Sequence, residues 1–156
     1  MRTHRYSLDV PHSSERVWAP MNDYARWPEF APMVVAVDVL YRGDAQGNGL
    51  LRRVLYRLPL GRRGSALELV TDVEPQRGYT YTMISRQPGN DQTGRPRLEP
   101  RAATATRLHF EEYYHLAQAP WRYFEGPIYR FINRQNEASM TALSQWLSAH
   151  PEYPGA

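Results

Sequence analysis

The chain has no cysteine and no lysine. The first absence removes disulfides, thiolate zinc sites and cysteine nucleophiles together, and the second removes Schiff-base chemistry from a lysine amine. No apolar run approaches the roughly 18 residues that cross a bilayer. The opening Met1-Arg2-Thr3-His4-Arg5 leads into an alternating segment rather than the apolar stretch of a secretory signal. A Gly-x-Ser-x-Gly elbow, a phosphate loop and a His-Glu-x-x-His pair are all missing. The expectation is a cytoplasmic protein with no membrane span. Histidine offers little: His109 and His115 stand six residues apart on one strand face, roughly 20 Å in extended chain, too far to share a metal.

What is present is arginine and tyrosine. All 19 basic residues are arginine, against 16 acidic ones, for a net charge of +3. Arg52, Arg53, Arg57, Arg62 and Arg63 crowd one strand and its turn. They read either as a landing site for an acidic partner or phosphate, or as solubilising charge. Nucleic acid is not expected, because acidic residues are interspersed throughout. Eleven tyrosines and four tryptophans suggest a core or cavity wall of polar-tipped aromatics. At 156 residues the chain suits a single domain, 1–156, burying about 70% of its unfolded surface.

Alternation bounded by Gly, Pro, Asn and Asp predicts strands over 4–10, 33–42, 50–58, 66–74, 79–86 and 106–116. A weak, short one over 95–101 is marked by its two prolines as an edge or irregular strand. Residues 87–94 read as the most loop-like segment. Strands so closely spaced imply antiparallel pairing. Two short helices follow the first strand, capped by Ser13 or Ser14 and by Asn22 or Asp23, with Pro28 ending the second. Trp18 and Trp27 read as structural anchors of these helices. The apolar stripe at 128, 131, 132, 139, 142, 143, 146 and 147 makes one long helix over about 127–149, leaving a short tail 150–156.

One curved antiparallel sheet gripping one long helix leaves a cavity, the usual form of a small-molecule site. Parity puts Leu67, Leu69, Thr71 and Val73 inside on the fourth strand. Tyr79, Tyr81 and Met83 follow on the fifth, and Leu108, Phe110, Glu112, Tyr114 and Leu116 on the seventh. The expected pocket is lined by Leu69, Thr71, Tyr81, Phe110 and Tyr114. Glu112 is the sharpest oddity, a carboxylate on an apolar face, which must be paired or hold its proton more tightly. Arg52, on the inward parity of its strand with Tyr56, is a possible partner. The pair reads either as acid–base machinery or as a structural ion pair.

The block Val17-Trp18, Asn22-Asp23 and Trp27-Pro28-Glu29 resembles the START-related polyketide cyclase/dehydrase superfamily, closest to bacterial aromatic polyketide aromatase/cyclases. Leu98-Glu99-Pro100, Thr106-Arg107-Leu108, Asn136 and Met140 add weaker agreement. The resemblance implies an α+β helix-grip fold with a seven-stranded sheet and a cavity for a small hydrophobic or aromatic ligand. It implies aldol cyclisation and dehydration of a carrier-bound poly-β-ketone, with no metal or organic cofactor. An acidic acyl carrier protein is then a candidate partner. The superfamily also contains members that only bind or carry lipids. Aromatases carry Tyr, Ser and Arg where Val34, Thr71 and Val73 stand here, so the catalytic set would shift to Glu112, Arg52 and Tyr81. Val34, Tyr56, Leu69, Thr71, Val73, Met83, Phe110, Tyr114, Phe131 and Gln135 would bind the ligand.

Overall fold

The computed structural model describes residues 2–58, 61–84, 90–117 and 119–154. Its strands are β1 (Arg2–Val10), β2 (Val34–Tyr41), β3 (Leu50–Arg57), β4 (Arg63–Glu74), β5 (Gly78–Met83), β6 (Asn90–Ala102) and β7 (Ala105–Leu116). They form one antiparallel sheet in the order β1-β7-β6-β5-β4-β3-β2. From β2 to β7 each strand pairs with its successor. β1 returns to β7, so the first strand and the last lie side by side while β1 and β2 are the edges.

Helix α1 (Ser14–Asn22) starts at Ser13, whose hydroxyl accepts the Arg16 N–H at 3.3 Å and satisfies one orphan donor of the first turn. A 3₁₀ turn over Tyr24–Arg26 and the four-residue α2 (Trp27–Phe30) follow. Pro28 does not stop this segment; it sits in the first turn of α2, and Trp27 before it is helical. A missing N–H is harmless there, since first-turn donors have no intrahelical acceptor. Asp23 caps nothing with its side chain; it accepts the Tyr153 hydroxyl instead.

The long helix α3 (Glu125–Ala149) has all its fully buried residues, Leu143, Trp146 and Leu147, in its second half. These meet Val10, Val17, Met21, Phe30, Leu98 and Leu108 in the core. Each such side chain contributes about 1.5–3 kcal/mol by leaving water. Arg16 closes the helix end by donating to the carbonyls of Leu147 and His150 at 3.0 and 2.7 Å, groups that have no partner within the helix.

β6 departs most from expectation. It runs from Asn90, takes in most of the segment read as a loop, and lies in the middle of the sheet rather than at its edge. Residues 87–89 fall outside the described residues. The prolines are tolerated because the β5–β6 ladder pairs Gly78 with Arg97 and Tyr81 with Gly94, with no pairing at the buried Pro96 between them.

Candidate functional site

Three strands align Tyr81 of β5, Gly94 of β6 and Glu112 of β7 in one row. Gly94 is the reason they can meet. A Cβ at this position would lie 2.2 Å from the Tyr81 ring, so only glycine lets the phenol lie flat across the middle strand. The Tyr81 hydroxyl then reaches over β6 and donates to Glu112 Oε1 at 3.0 Å. Gln92, two residues from Gly94 on the same face, donates to the same oxygen at 2.5 Å. Asn136 descends from α3 and donates to Oε2 at 2.8 Å. Glu112 is 1% exposed and none of its three partners is charged. Burial is the largest influence on it and raises its pKa above the ordinary carboxylate value; the three donors pull the other way without cancelling it.

A second buried carboxylate lies on the same face. Glu68 of β4 sits opposite Arg52 of β3 and accepts from its Nε and Nη2 at 2.8 and 2.7 Å. Tyr56 donates to the other Glu68 oxygen at 2.8 Å. The Arg52 guanidinium is boxed by aromatic rings, 4.4 Å from the centre of Trp27 and 4.9 Å from that of Tyr24, with Tyr79 and Tyr81 beyond. Such faces attract a cation. Burial alone would lower the Arg52 pKa, but Glu68 and the rings raise it, so it stays charged. Its Nη1 finds no acceptor among the described residues. Burial, then the neighbouring carboxylates, push the phenols of Tyr56 and Tyr81 well above the usual tyrosine value, which keeps both as donors.

Arg52 is therefore the partner of Glu68 and not of Glu112. The five clustered arginines also separate: Arg52 is buried, Arg53 pairs with Asp38 at 2.7 Å, and Arg57, Arg62 and Arg63 are exposed. Among the other singled-out residues, Met83 lies opposite Glu68, and Phe110 and Tyr114 share the Glu112 face, both buried. Val34 faces Tyr56 across the β2–β3 ladder. Leu69 and Thr71, with Leu67, point the other way. On β4 the buried set is Ala66, Glu68 and Val70, so the more apolar parity lies on the convex face. A one-residue bulge at Asp72, whose φ is 51°, then turns Val73 back toward the core. Gln92 and Gly94 were not singled out by sequence because they lie in the segment read as loop.

Across the centre of the concave face the side chains of Tyr81, Gln92 and Asn136 converge on Glu112. A cleft of about 410 Å³ runs along the first half of α3 between Pro127, Arg130, Phe131, Arg134 and Gln135. A groove of about 600 Å³ crosses the convex face past Arg5, Thr80, Arg97 and His109. Among the described residues no three His, Asp or Glu side chains are placed to hold one metal ion, and no helix is long and apolar enough to cross a membrane.

Residues 1–147 match the family model described as polyketide cyclase/dehydrase and lipid transport. No curated protein matches the chain at a significant level. Among solved structures, the Zhui aromatase/cyclase from Streptomyces sp. R1128 superposes with a TM-score of 0.83 at 16% identity, covering 99% of this chain and 98% of that one. The di-domain ARO/CYC BexL from the BE-7585A biosynthetic pathway gives 0.76 at 18% identity over 97% of this chain, which spans about half (48%) of that protein. A START superfamily protein from Mycobacterium smegmatis gives 0.64 at 14% identity, over 89% of this chain and 98% of that one. At these identities the likeness is one of fold.

Proposed function

Since this chain belongs to the polyketide cyclase/dehydrase and lipid transport family, we propose that it is a cofactor-independent cyclase that closes and dehydrates a poly-β-ketone. The observation that carries this reading is Glu112: a buried carboxylate with a raised pKa, held among the described residues by three uncharged donors and no cation. A carboxyl that holds its proton more tightly than usual is a better base once ionised and can return the proton it takes.

On this reading the ligand enters along the α3 cleft past Phe131 and Gln135. Asn136, next to Gln135 in the chain, donates to Glu112 from the same helix. The carboxylate removes a proton from a methylene between two carbonyls, and the resulting enolate carbon attacks a ketone carbon further along the chain. The new alkoxide takes the proton back from Glu112. Removal of a second proton from the same methylene, with departure of the hydroxyl, releases one water and leaves the double bond that leads to an aromatic ring. Arg52 Nη1, a buried donor without an acceptor among the described residues, stabilises the enolate and alkoxide oxygens, where fixed donors in a dry site act most strongly, while the Tyr81 hydroxyl orients the Glu112 carboxylate. Tyr56 keeps Glu68 and Arg52 in place, while Met83, Phe110 and Tyr114 form apolar walls.

The second reading, a carrier of apolar ligands, is favoured by the completeness of the Glu112 network, since fully satisfied buried networks also serve structure alone. Glu112→Gln separates the two. Incubated with a poly-β-ketone thioester, the variant should form aromatic product about 100-fold more slowly while binding the ligand with little change. Unchanged turnover, or no turnover in either protein, contradicts the cyclase reading.

A further inference from the structure

We infer that the end of the sheet beside the start of α3 is a docking surface for a lipid bilayer carrying anionic headgroups. This surface does not depend on the reaction proposed above. The strand registers bring the start of β1 to the end of β7, the end of β7 to the start of β6, and the end of β3 to the start of β4. The Arg2–Glu125 pair and the Tyr129 bond to the Thr3 carbonyl fix the beginning of α3 at the same end.

Two features coincide there. Large apolar side chains stand in solvent on three separate connections: Leu58 after β3, Ile84 after β5, and Tyr123 and Phe124 before α3, the last two 69% and 56% exposed. Arg57, Arg62, Arg63 and Arg122 sit on or beside the same connections, and Arg130 and Arg134 follow within the first ten residues of α3, all exposed. Along the body of the sheet Arg5 pairs with Glu111, Arg53 with Asp38 and Arg107 with Asp9, while the exposed Arg95 stands alone over the Tyr113 ring. Among the described residues none of the six end arginines has a carboxylate within 4.0 Å. Positive charge is thus left uncompensated where apolar groups are also left uncovered.

The form of the surface favours a bilayer over a folded acidic protein. Protein partners bury a continuous, complementary patch. Here the apolar groups come from separate connections, an arrangement that suits insertion at one depth into a deformable interface. Arg122 shows the pattern in miniature: its guanidinium lies 4.7 Å from the Tyr123 ring centre and donates to the phenol oxygen at 2.6 Å. An aromatic body with charge at its tip is what membrane interfaces collect. The other exposed apolar run, Val39, Leu40 and Tyr41, lies at the opposite end of the edge strand β2 and lacks such a cluster of uncompensated arginines.

Flotation of the full chain with phosphatidylcholine vesicles, with and without phosphatidylserine, tests this. The protein should rise only with phosphatidylserine vesicles, and less so as salt increases. Replacing Arg122, Arg130 and Arg134 together by alanine should weaken binding about 100-fold, roughly fivefold for each arginine. Tyr123→Ser with Phe124→Ser should also weaken it, whereas Arg53→Ala and Arg107→Ala should not. Should the first triple variant fail to fold, Arg57→Ala/Arg62→Ala/Arg63→Ala repeats the test from another connection. No flotation with phosphatidylserine, or equal flotation of a folded triple variant, overturns the inference. Capture of soluble polyglutamate without flotation assigns the surface to an acidic protein and overturns it as well.

Discussion

Glu68 and Glu112 are buried carboxylates on the same concave face of one sheet, yet they are held in opposite ways. Glu68 has a guanidinium against it, a phenol on its other oxygen and a box of rings around the cation. Among the described residues Glu112 has only neutral donors. The first arrangement ties β3, β4 and the Trp27 segment together through one guanidinium. The second leaves a carboxyl that binds its proton more tightly and can exchange it. Tyr81 touches both, its ring near Arg52 and its hydroxyl on Glu112, so the charged half, structural on this account, and the half proposed to react share one side chain.

The largest effect should come from breaking the structural half. Arg52→Met leaves Glu68 buried without its cation and should destabilise the fold by about 3–5 kcal/mol in chemical denaturation. Arg52→Met with Glu68→Met should recover most of that, because a buried pair replaced by apolar residues is often neutral. If the double variant is as unstable as the single one, the pair is not what Arg52 is for.

Trp27→Ala should cost about 3–5 kcal/mol as a large-to-small core change, and it also opens the box around Arg52. A thermal melt that does not move, together with lost ligand binding, places Trp27 in the ligand site instead of the frame.

Gly94→Ala should act on the seam between the halves. The new methyl meets the Tyr81 ring, and forcing the ring aside should cost about 1–3 kcal/mol. Turnover should fall with it, since Tyr81 would lose Glu112. A variant with wild-type activity shows that Tyr81 need not lie across β6.

The contrast between the two carboxylates explains which parts of the molecule were legible in the sequence. Glu112 stood out because its neighbours in parity, Leu108, Phe110 and Tyr114, are apolar, and the structure keeps that face inward. On β4 the same rule chose Leu67, Leu69 and Thr71, because the true inner set contains Glu68. A buried ion pair makes the inner face look polar, and its partner Arg52 lies one strand away where no local pattern reveals it. β6 was obscured by chemistry that usually marks a loop. Gly94 is there for the Tyr81 ring, and Pro96 sits where the ladder asks for no N–H. Of the three partners of Glu112, Gln92 went unseen for that reason, and so did Gly94, which lets Tyr81 reach it. The helix-grip order, the Ser13 cap and the α3 stripe were readable because each is set by local spacing.

The smallest effect on stability, and the most telling, belongs to Glu112→Gln. A group with a raised folded pKa stabilises below its unfolded value and loses that contribution as pH rises through the folded pKa. Relative to the variant, the wild type should therefore lose stability as pH climbs from about 4.5, the ordinary carboxylate value. The most direct test is to follow the Glu112 carboxyl carbon by ¹³C NMR through a pH titration, assigned by its disappearance in Glu112→Gln. The account predicts a midpoint above the ordinary carboxylate range, shifting when Asn136 or Gln92 is replaced by an apolar residue. A midpoint at or below that range would mean Glu112 is a settled anion like any paired surface carboxylate, and the central claim would be wrong.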